Sequence, residues 1–200
     1  GTVPGEIPLP GGTRMTPALY GKSILLVDME GRVLGIDSDS GDIVSTIETD
    51  AVQPVAYPIQ ISDDAGYFIG KNGLLVAVDL KAESILWQKK VSDLGVGTVS
   101  TEITLSPEGV FLYSRNTIFS INRKTGRQLF EPIPDASCPP AYLQGRIYFG
   151  TFDEKVQETA AGSGKPLRAI DIGAVPSCVG ATNNGKILAG TEAGSIAVIT

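Results

Sequence analysis

Short apolar runs alternate with turn residues along the whole chain. Residues 24–27 and 110–113 are uninterrupted apolar runs, and each gives way directly to polar turn residues. Runs of this length, bounded by glycine, proline, asparagine and aspartate, are typical of β-strands joined by tight turns. The pattern predicts an all-β fold.

A repeat of about 40 residues organises these runs. Its clearest copies are 31–41, 73–83 and 116–126. They share a turn residue, a largely apolar strand of five residues, Asp or Asn six places after the turn residue, and Gly or a substitute four places later. Residues 154–164 and 194–200 fit more loosely. The anchor residues Gly31, Gly73, Asn116, Glu154 and Gly194 lie 42, 43, 38 and 40 residues apart.

Each repeat contains four strand-like runs. The first, around a proline or small residue, occupies 15–19, 57–59, 100–103, 138–142 and 178–181; the second, strongly apolar, occupies 24–27, 67–69, 110–113, 147–149 and 187–189. The third is the anchor strand, and the fourth occupies 43–47, 85–88, 128–130 and 167–170. Four strands in about 40 residues are typical of a β-propeller blade. We therefore expect one domain over 1–200, with repeats at 15–50, 55–93, 99–135, 137–174 and 177–200.

Two segments resemble the repeat of a known family. Residues 21–44, and residues 72–79 with Trp87 in the strand that follows, are similar to the repeat of pyrroloquinoline-quinone (PQQ) type propellers. The resemblance implies a β-propeller of four-stranded antiparallel blades. In the fourth repeat, residues 157–160 replace an apolar run ending in Asp, and there we expect a distorted or exposed strand.

The last repeat stops at Thr200, before its fourth strand. Residues 5–10 have the pattern of a glycine followed by a fourth strand, and the prolines at 8 and 10 are tolerated on an outer edge. We therefore expect residues 5–10 to complete the last blade and close a ring of five blades. The alternative is a piece of a larger propeller, because rings of the PQQ type more often have seven or eight blades.

Composition and charge exclude several classes of function. The net charge of −6 offers no basic surface to a nucleic acid. Because histidine is absent, a Ser-His-Asp triad, a Cys-His dyad and the common zinc sites cannot be built. No stretch reaches the ~18–20 apolar residues that span a bilayer, so we expect no transmembrane segment.

Features of the quinone enzymes are missing. For the enzymes of that family, the resemblance implies an adjacent cysteine pair, a tryptophan platform beneath the cofactor and a bound calcium ion. Cys138 and Cys178 are 40 residues apart, and Trp87, the only tryptophan, occupies a structural position in a fourth strand. We therefore expect no PQQ, no other cofactor and no metal.

The recurring acidic positions are interpreted as turn residues. Asp37, Asp79 and Asn122 stand at one position of the repeat, and short side chains of this type hydrogen-bond their own backbone. The pairs 63–64 and 153–154 lack the alternating ligand spacing of a calcium loop, so they are interpreted as solvated turns.

The first strand of each blade is expected to line the propeller axis. Glu102 stands there, where other repeats mostly have proline or glycine, and could bind a cation, hydrogen-bond a ligand or contact channel water. A glycosidase needs a second inward acid, which matching positions do not supply, so no catalytic residue is predicted. The candidates for a channel or ligand site are Met15, Tyr57, Ser100, Glu102, Cys138 and Cys178.

The two cysteines occupy the same position in neighbouring repeats, each after a serine. A disulfide needs Cα atoms within about 7 Å, which neighbouring blades reach only near a narrow axis. A bridge between Cys138 and Cys178 and a pair of buried free thiols are both open.

Taken with the resemblance, these features favour a non-catalytic binding or scaffold module. We expect it to be periplasmic or extracellular, and to hold a protein or another ligand on its loop face or channel mouth. The alternative is a fragment or small relative of a propeller enzyme, either a quinoprotein dehydrogenase or a five-bladed glycosidase. The lack of histidine, of a carboxylate cluster and of the quinone-site residues favours the binding module.

Overall fold

A computed structural model describes residues 7–54, 58–94 and 102–200, and the chain divides into two compact units, 1–95 and 96–200. The described residues form five antiparallel sheets and one short 3₁₀ turn. None of the described helical residues forms a segment long and apolar enough to cross a membrane. The all-β class predicted from the sequence is confirmed.

Unit 1 contains two four-stranded sheets, in which each strand pairs with the strand that follows it in sequence. The first sheet is β1 (Ala18–Tyr20), β2 (Ser23–Val27), β3 (Val33–Asp37) and β4 (Ile43–Ile47). The second is β5 (Gln60–Ser62), β6 (Ala65–Ile69), β7 (Leu74–Asp79) and β8 (Ser84–Lys90), followed by the 3₁₀ turn Val91–Leu94.

One apolar layer joins these two sheets. Because side chains alternate between faces along a strand, Leu25, Val27 and Val33 point to one side of the first sheet. They pack against Phe68 and Val76 of the second sheet in a single buried cluster. Burying side chains of this size stabilises the fold by roughly 1.5–3 kcal/mol each.

Unit 2 contains three sheets. The third sheet is β9 (Ile103–Leu105), β10 (Gly109–Ser114) and β11 (Thr117–Asn122). The fourth is β12 (Ala141–Leu143), β13 (Arg146–Gly150), β14 (Lys155–Ala160) and β15 (Pro166–Asp171). The fifth is β16 (Pro176–Ala181), β17 (Ile187–Thr191) and β18 (Ile196–Ile199).

The fourth sheet is buried on both faces. On one face, Phe149 of β13 packs with Phe111 and Ile118 of the third sheet. On the other face, Val156 of β14 packs with Ile187 of the fifth sheet. The sheet therefore lies between two apolar layers, as a propeller blade must.

The turn positions of the repeat behave as the sequence predicts. One oxygen of Asp37 accepts the N–H groups of Asp39 and Ser40, at 2.9 and 2.8 Å. Asp79 and Asn122 cap the equivalent turns in the same way. The backbone donors favour the carboxylate and lower the pKa of Asp37.

Several strands depart from the predicted bounds. The first strand of the second sheet lies at Gln60–Ser62 instead of 57–59, and that of the third sheet lies at Ile103–Leu105 instead of 100–103. In the first and fourth sheets, proline sets the start of the first strand. The first strands begin at Ala18 and Ala141, immediately after Pro17 and Pro140, which have no N–H to donate. In the run predicted at 128–130, only Gln128 pairs, in an isolated bridge with Ile121. There the Ser120 hydroxyl replaces part of the ladder by bonding both the N–H and the carbonyl of Phe130, at 3.1 Å each.

For the distorted or exposed strand expected in the fourth repeat, the exposure is wrong, and a register shift is present. Val156, Glu158 and Thr159 of β14 are buried. The Glu158 carboxylate accepts hydrogen bonds from Arg146 and Arg168, which supply the charge that this burial requires. A register shift follows Glu158, but the same shift follows Gly35 and Ala77 at the equivalent position, so it belongs to the repeat.

The predicted closing strand is not found in the described residues. Gly5 and Glu6 lie outside them, and residues 7–10 form no strand. Leu9 instead packs against Leu26, Leu34 and Ile36 of the first sheet. Among the described residues the fifth sheet has three strands, and residues 7–10 do not pair with it.

Two glycines with positive φ separate the effect of backbone conformation from that of close packing. A Cβ at Gly31, where φ is 88°, would lie 1.7 Å from the Ala51 carbonyl oxygen, whereas at Gly21, where φ is 59°, it would meet nothing within 4 Å. We expect Gly31→Ala to lower the free energy of unfolding by about 2–5 kcal/mol and Gly21→Ala by about 1–2 kcal/mol, measured by urea titration. Equal losses would contradict the close approach at Gly31.

Candidate functional site

Four of the predicted channel residues lie in the described part of the chain: Met15 in unit 1, and Glu102, Cys138 and Cys178 in unit 2. Tyr57 and Ser100 lie outside the described residues. Met15 is 4% exposed and belongs to the core cluster of unit 1. Glu102 is exposed and lies one residue before β9. No cluster of three or more potential metal ligands occurs among the described residues.

The two cysteines differ in environment. Cys138 is 1% exposed and its sulfur accepts the Gly150 N–H at 3.3 Å, whereas Cys178 is exposed on β16. Burial raises the pKa of the Cys138 thiol, and the nearby Cys178 adds to this. Both are free thiols in the structure, so a bridge between them stays a prediction.

A surface groove in unit 2 is the best candidate for a binding site. It has a volume of about 580 Å³ and lies between the loop that precedes β12, the β13–β14 turn and β15. Phe152 stands at the turn with 51% of its surface exposed, which is unusual for so large an apolar side chain. The lining residues are Asp135, Thr151, Phe152, Asp153, Lys155, Gln157 and Ala169.

Polar contacts fix the turn beneath Phe152. The Thr151 hydroxyl contacts the Asp153 carboxylate at 2.6 Å and the Lys155 carbonyl at 3.1 Å. Asp153 also pairs with the Lys155 ammonium. This ion pair lowers the pKa of Asp153 and raises that of Lys155. Phe152 is therefore held on an ordered turn and needs little reorganisation to bind a partner.

Backbone contacts hold the segment that contributes Asp135 to the groove. Asp135 has φ of 61°, a conformation that aspartate and asparagine tolerate better than most residues. The next residue, Ala136, forms an isolated bridge with Thr151 and donates its N–H to the Asn116 carbonyl at 2.9 Å. Asp135 and Phe152 line the same groove.

This arrangement suits a cationic side chain with an apolar stem. An aromatic face attracts the charge of lysine or arginine, and a carboxylate supplies a hydrogen-bond acceptor. Among the described lining residues, Lys155 is the cation, and it pairs with Asp153. The negative charge of Asp135 therefore has no cationic partner within the described lining. The groove combines an apolar anchor with a few polar groups, as binding sites commonly do.

The groove is not predicted from the sequence, in which residues 153–154 are interpreted only as a solvated turn. One signal was available: two places before the anchor, three other repeats have Met29, Lys71 and Glu192, and this repeat has Phe152. The contribution of Asp135 could not be foreseen, since it lies 17 residues earlier and reaches the groove only through the bridge between Ala136 and Thr151.

Comparison with known proteins gives the fold. No protein-family model matches the chain, and no curated protein matches its sequence. The crystal structure of BamB from Moraxella catarrhalis matches 95% of the chain with a TM-score of 0.67 at 17% identity. The crystal structure of the computationally designed Ika8 protein matches 92% with a TM-score of 0.68 at 13% identity.

These similarities confirm the β-propeller class predicted from the repeat. At such low identity they establish the fold alone, and one of the two structures is a designed protein. The chain covers 59% and 57% of the two matched chains, so it spans less than two thirds of their length.

The different environments of the cysteines predict two rates of alkylation. In folded, dilute protein, we expect Cys178 to react with iodoacetamide at least about a hundredfold faster than Cys138, which is buried and has a raised pKa. Intact mass over time measures both rates, and Cys178→Ser should leave only the slow one. If neither thiol reacts until a reductant is added, and reduction adds two hydrogens, the cysteines are bridged.

Proposed function

We propose that the chain is a non-catalytic binding module of the PQQ-like propeller type, and that it holds a protein segment in the groove at Phe152. The observation that supports this most is an exposed aromatic ring on a hydrogen-bonded turn, in a groove that Asp135 also lines. Tyrosine, tryptophan and phenylalanine anchors of this kind are enriched at protein interfaces.

The charge of the chain favours a basic segment as the partner. A net charge of −6 attracts cationic segments and accelerates their association at low ionic strength. We further propose a periplasmic or extracellular location, which rests on the resemblance of residues 21–44 and 72–79 to PQQ-type repeats.

A peptide selection tests the groove directly. Random peptides displayed on phage and selected on the immobilised protein should be enriched in arginine or lysine next to apolar residues. For the best peptide, Phe152→Ala should raise the Kd about tenfold or more, as loss of an interface anchor does. Leu19→Ala is the matched control, because Leu19 is 75% exposed on β1 of the other unit; its Kd should change less than about twofold.

A charge variant separates recognition of a cation from simple apolar contact. Asp135→Asn keeps a residue that tolerates a φ of 61°, so the backbone should not change. The Kd for a basic peptide should rise several-fold, and the rise should shrink at high salt. Binding that is unchanged in both Phe152→Ala and Asp135→Asn would overturn the proposed site.

The alternative, a propeller enzyme, predicts a dependence on Glu102. We expect the purified protein to show no PQQ-dependent dye reduction and no hydrolysis of aryl glycosides. Glu102→Gln should leave the circular dichroism spectrum and the Tm unchanged, because Glu102 is exposed and precedes β9. A turnover that Glu102→Gln abolishes would establish the enzyme instead.

A further inference from the structure

One face of the fifth sheet is apolar and uncovered. Pairing places Cys178 of β16, Gly190 of β17 and Ile196 of β18 in one row across this sheet. Gly180, Leu188 and Val198 form the next row of the same face. We call these six residues the open face; none of them is charged.

The large apolar side chains of the open face are unusually exposed to solvent. Ile196 is 73% exposed, Val198 56% and Leu188 37%. Single exposed apolar residues are common on protein surfaces, but adjoining ones on one sheet face mark an interaction surface.

In the other repeats, the residues equivalent to Ile196 and Leu188 are buried. Ile196 is the second residue after its anchor, and its counterparts after the other anchors are all at most 1% exposed: Val33, Leu75, Ile118 and Val156. Leu188 lies opposite Val198, and its counterparts at the same place in the pairing are all buried: Leu25, Tyr67, Phe111 and Tyr148.

In three sheets, the residue at the Ile196 position packs against the next sheet in sequence. Val33 belongs to the layer shared with Phe68, Ile118 to the layer shared with Ile147, and Val156 to the layer shared with Ile187. The open face therefore has the composition and the position of a surface that another β-sheet covers.

The open face is also complementary to itself. Its large side chains, Ile196 and Val198, lie on the edge strand β18, and its small ones, Cys178 and Gly180, lie on β16 at the other side of β17. A twofold axis parallel to β17 would place β18 of one copy over β16 of the other. The large residues of each copy would then fill the trough formed by the small residues of its partner.

We propose that the open face binds the open face of a second copy of this chain, giving a twofold-symmetric dimer. The absence of charge on the face favours this occupant, because a chain of net charge −6 has no charged group here to repel its copy. A face of three short strands is small for a protein interface, so the dimer forms at micromolar concentration.

Sedimentation equilibrium tests the dimer. Between about 1 and 500 µM, the mass should rise from 20.9 kDa and level off at twice that value. Ile196→Lys, which places a charge in the trough of the partner, should leave the chain monomeric over this range. Leu19→Lys is the matched control, since Leu19 is 75% exposed on another sheet; it should not change the association.

The Gly180→Leu variant distinguishes a specific dimer interface from non-specific hydrophobic association. A Cβ at Gly180 meets nothing within 4 Å, so the folded monomer has room for the larger side chain. Leucine there would fill the trough and weaken the proposed dimer at least tenfold, whereas non-specific association would become stronger because apolar surface is added. Circular dichroism and Tm confirm that each variant remains folded.

The thiol of Cys178 gives an independent measurement. Its alkylation rate should fall as the wild-type protein is concentrated, and should stay constant in Ile196→Lys.

A wild-type chain that is monomeric at all concentrations would overturn the proposal. So would an Ile196→Lys variant that still dimerises, a mass that grows without limit, or a Gly180→Leu variant that associates more tightly.

Discussion

Two-sided apolar sheets impose the central constraint on this structure. Each repeat yields a short sheet whose side chains alternate between two faces, and both faces are largely apolar. Such a sheet is stable in water only if each face is covered. In unit 2 the fourth sheet meets this condition through Phe149 on one side and Val156 on the other. The buried layers therefore hold neighbouring sheets together.

The same constraint explains how polar residues are used inside the layers. Glu158 occupies a position where two other sheets have Gly35 and Ala77, yet it is only 1% exposed. Arg146 and Arg168 approach its carboxylate from either side and keep about half of their own surface in solvent. A charge thus enters the layer without being left unpaired, and the strand keeps its place in the sheet.

The repeat made the strands predictable, because its period appears directly in the sequence. The bounds of β4 and the caps at Asp37, Asp79 and Asn122 follow from local chemistry and match the structure. Met15 could not be placed in the same way. Met15 precedes β1 and is buried in a cluster with residues of both sheets of unit 1, such as Val27 and Phe68, which the repeat pattern does not bring together.

The candidate groove could not be predicted from the sequence of a single repeat either. Phe152 can be recognised from the sequence as an unusual turn residue, but its exposure is a property of the finished fold. Asp135 reaches it from an earlier loop through a single bridge beside Thr151. Contacts of this kind join different repeats, so the pattern within one repeat does not contain them.

The simple order of the strands has a consequence for how the chain folds. Each strand of a sheet pairs with a strand next to it in sequence, and no sheet takes a strand from a distant part of the described chain. Closing each hairpin therefore costs little loop entropy, unlike the distant pairings that make many β-proteins slow to fold. Within each unit, sheets can form one after another as the chain leaves the ribosome, each providing the apolar surface on which the next sheet packs.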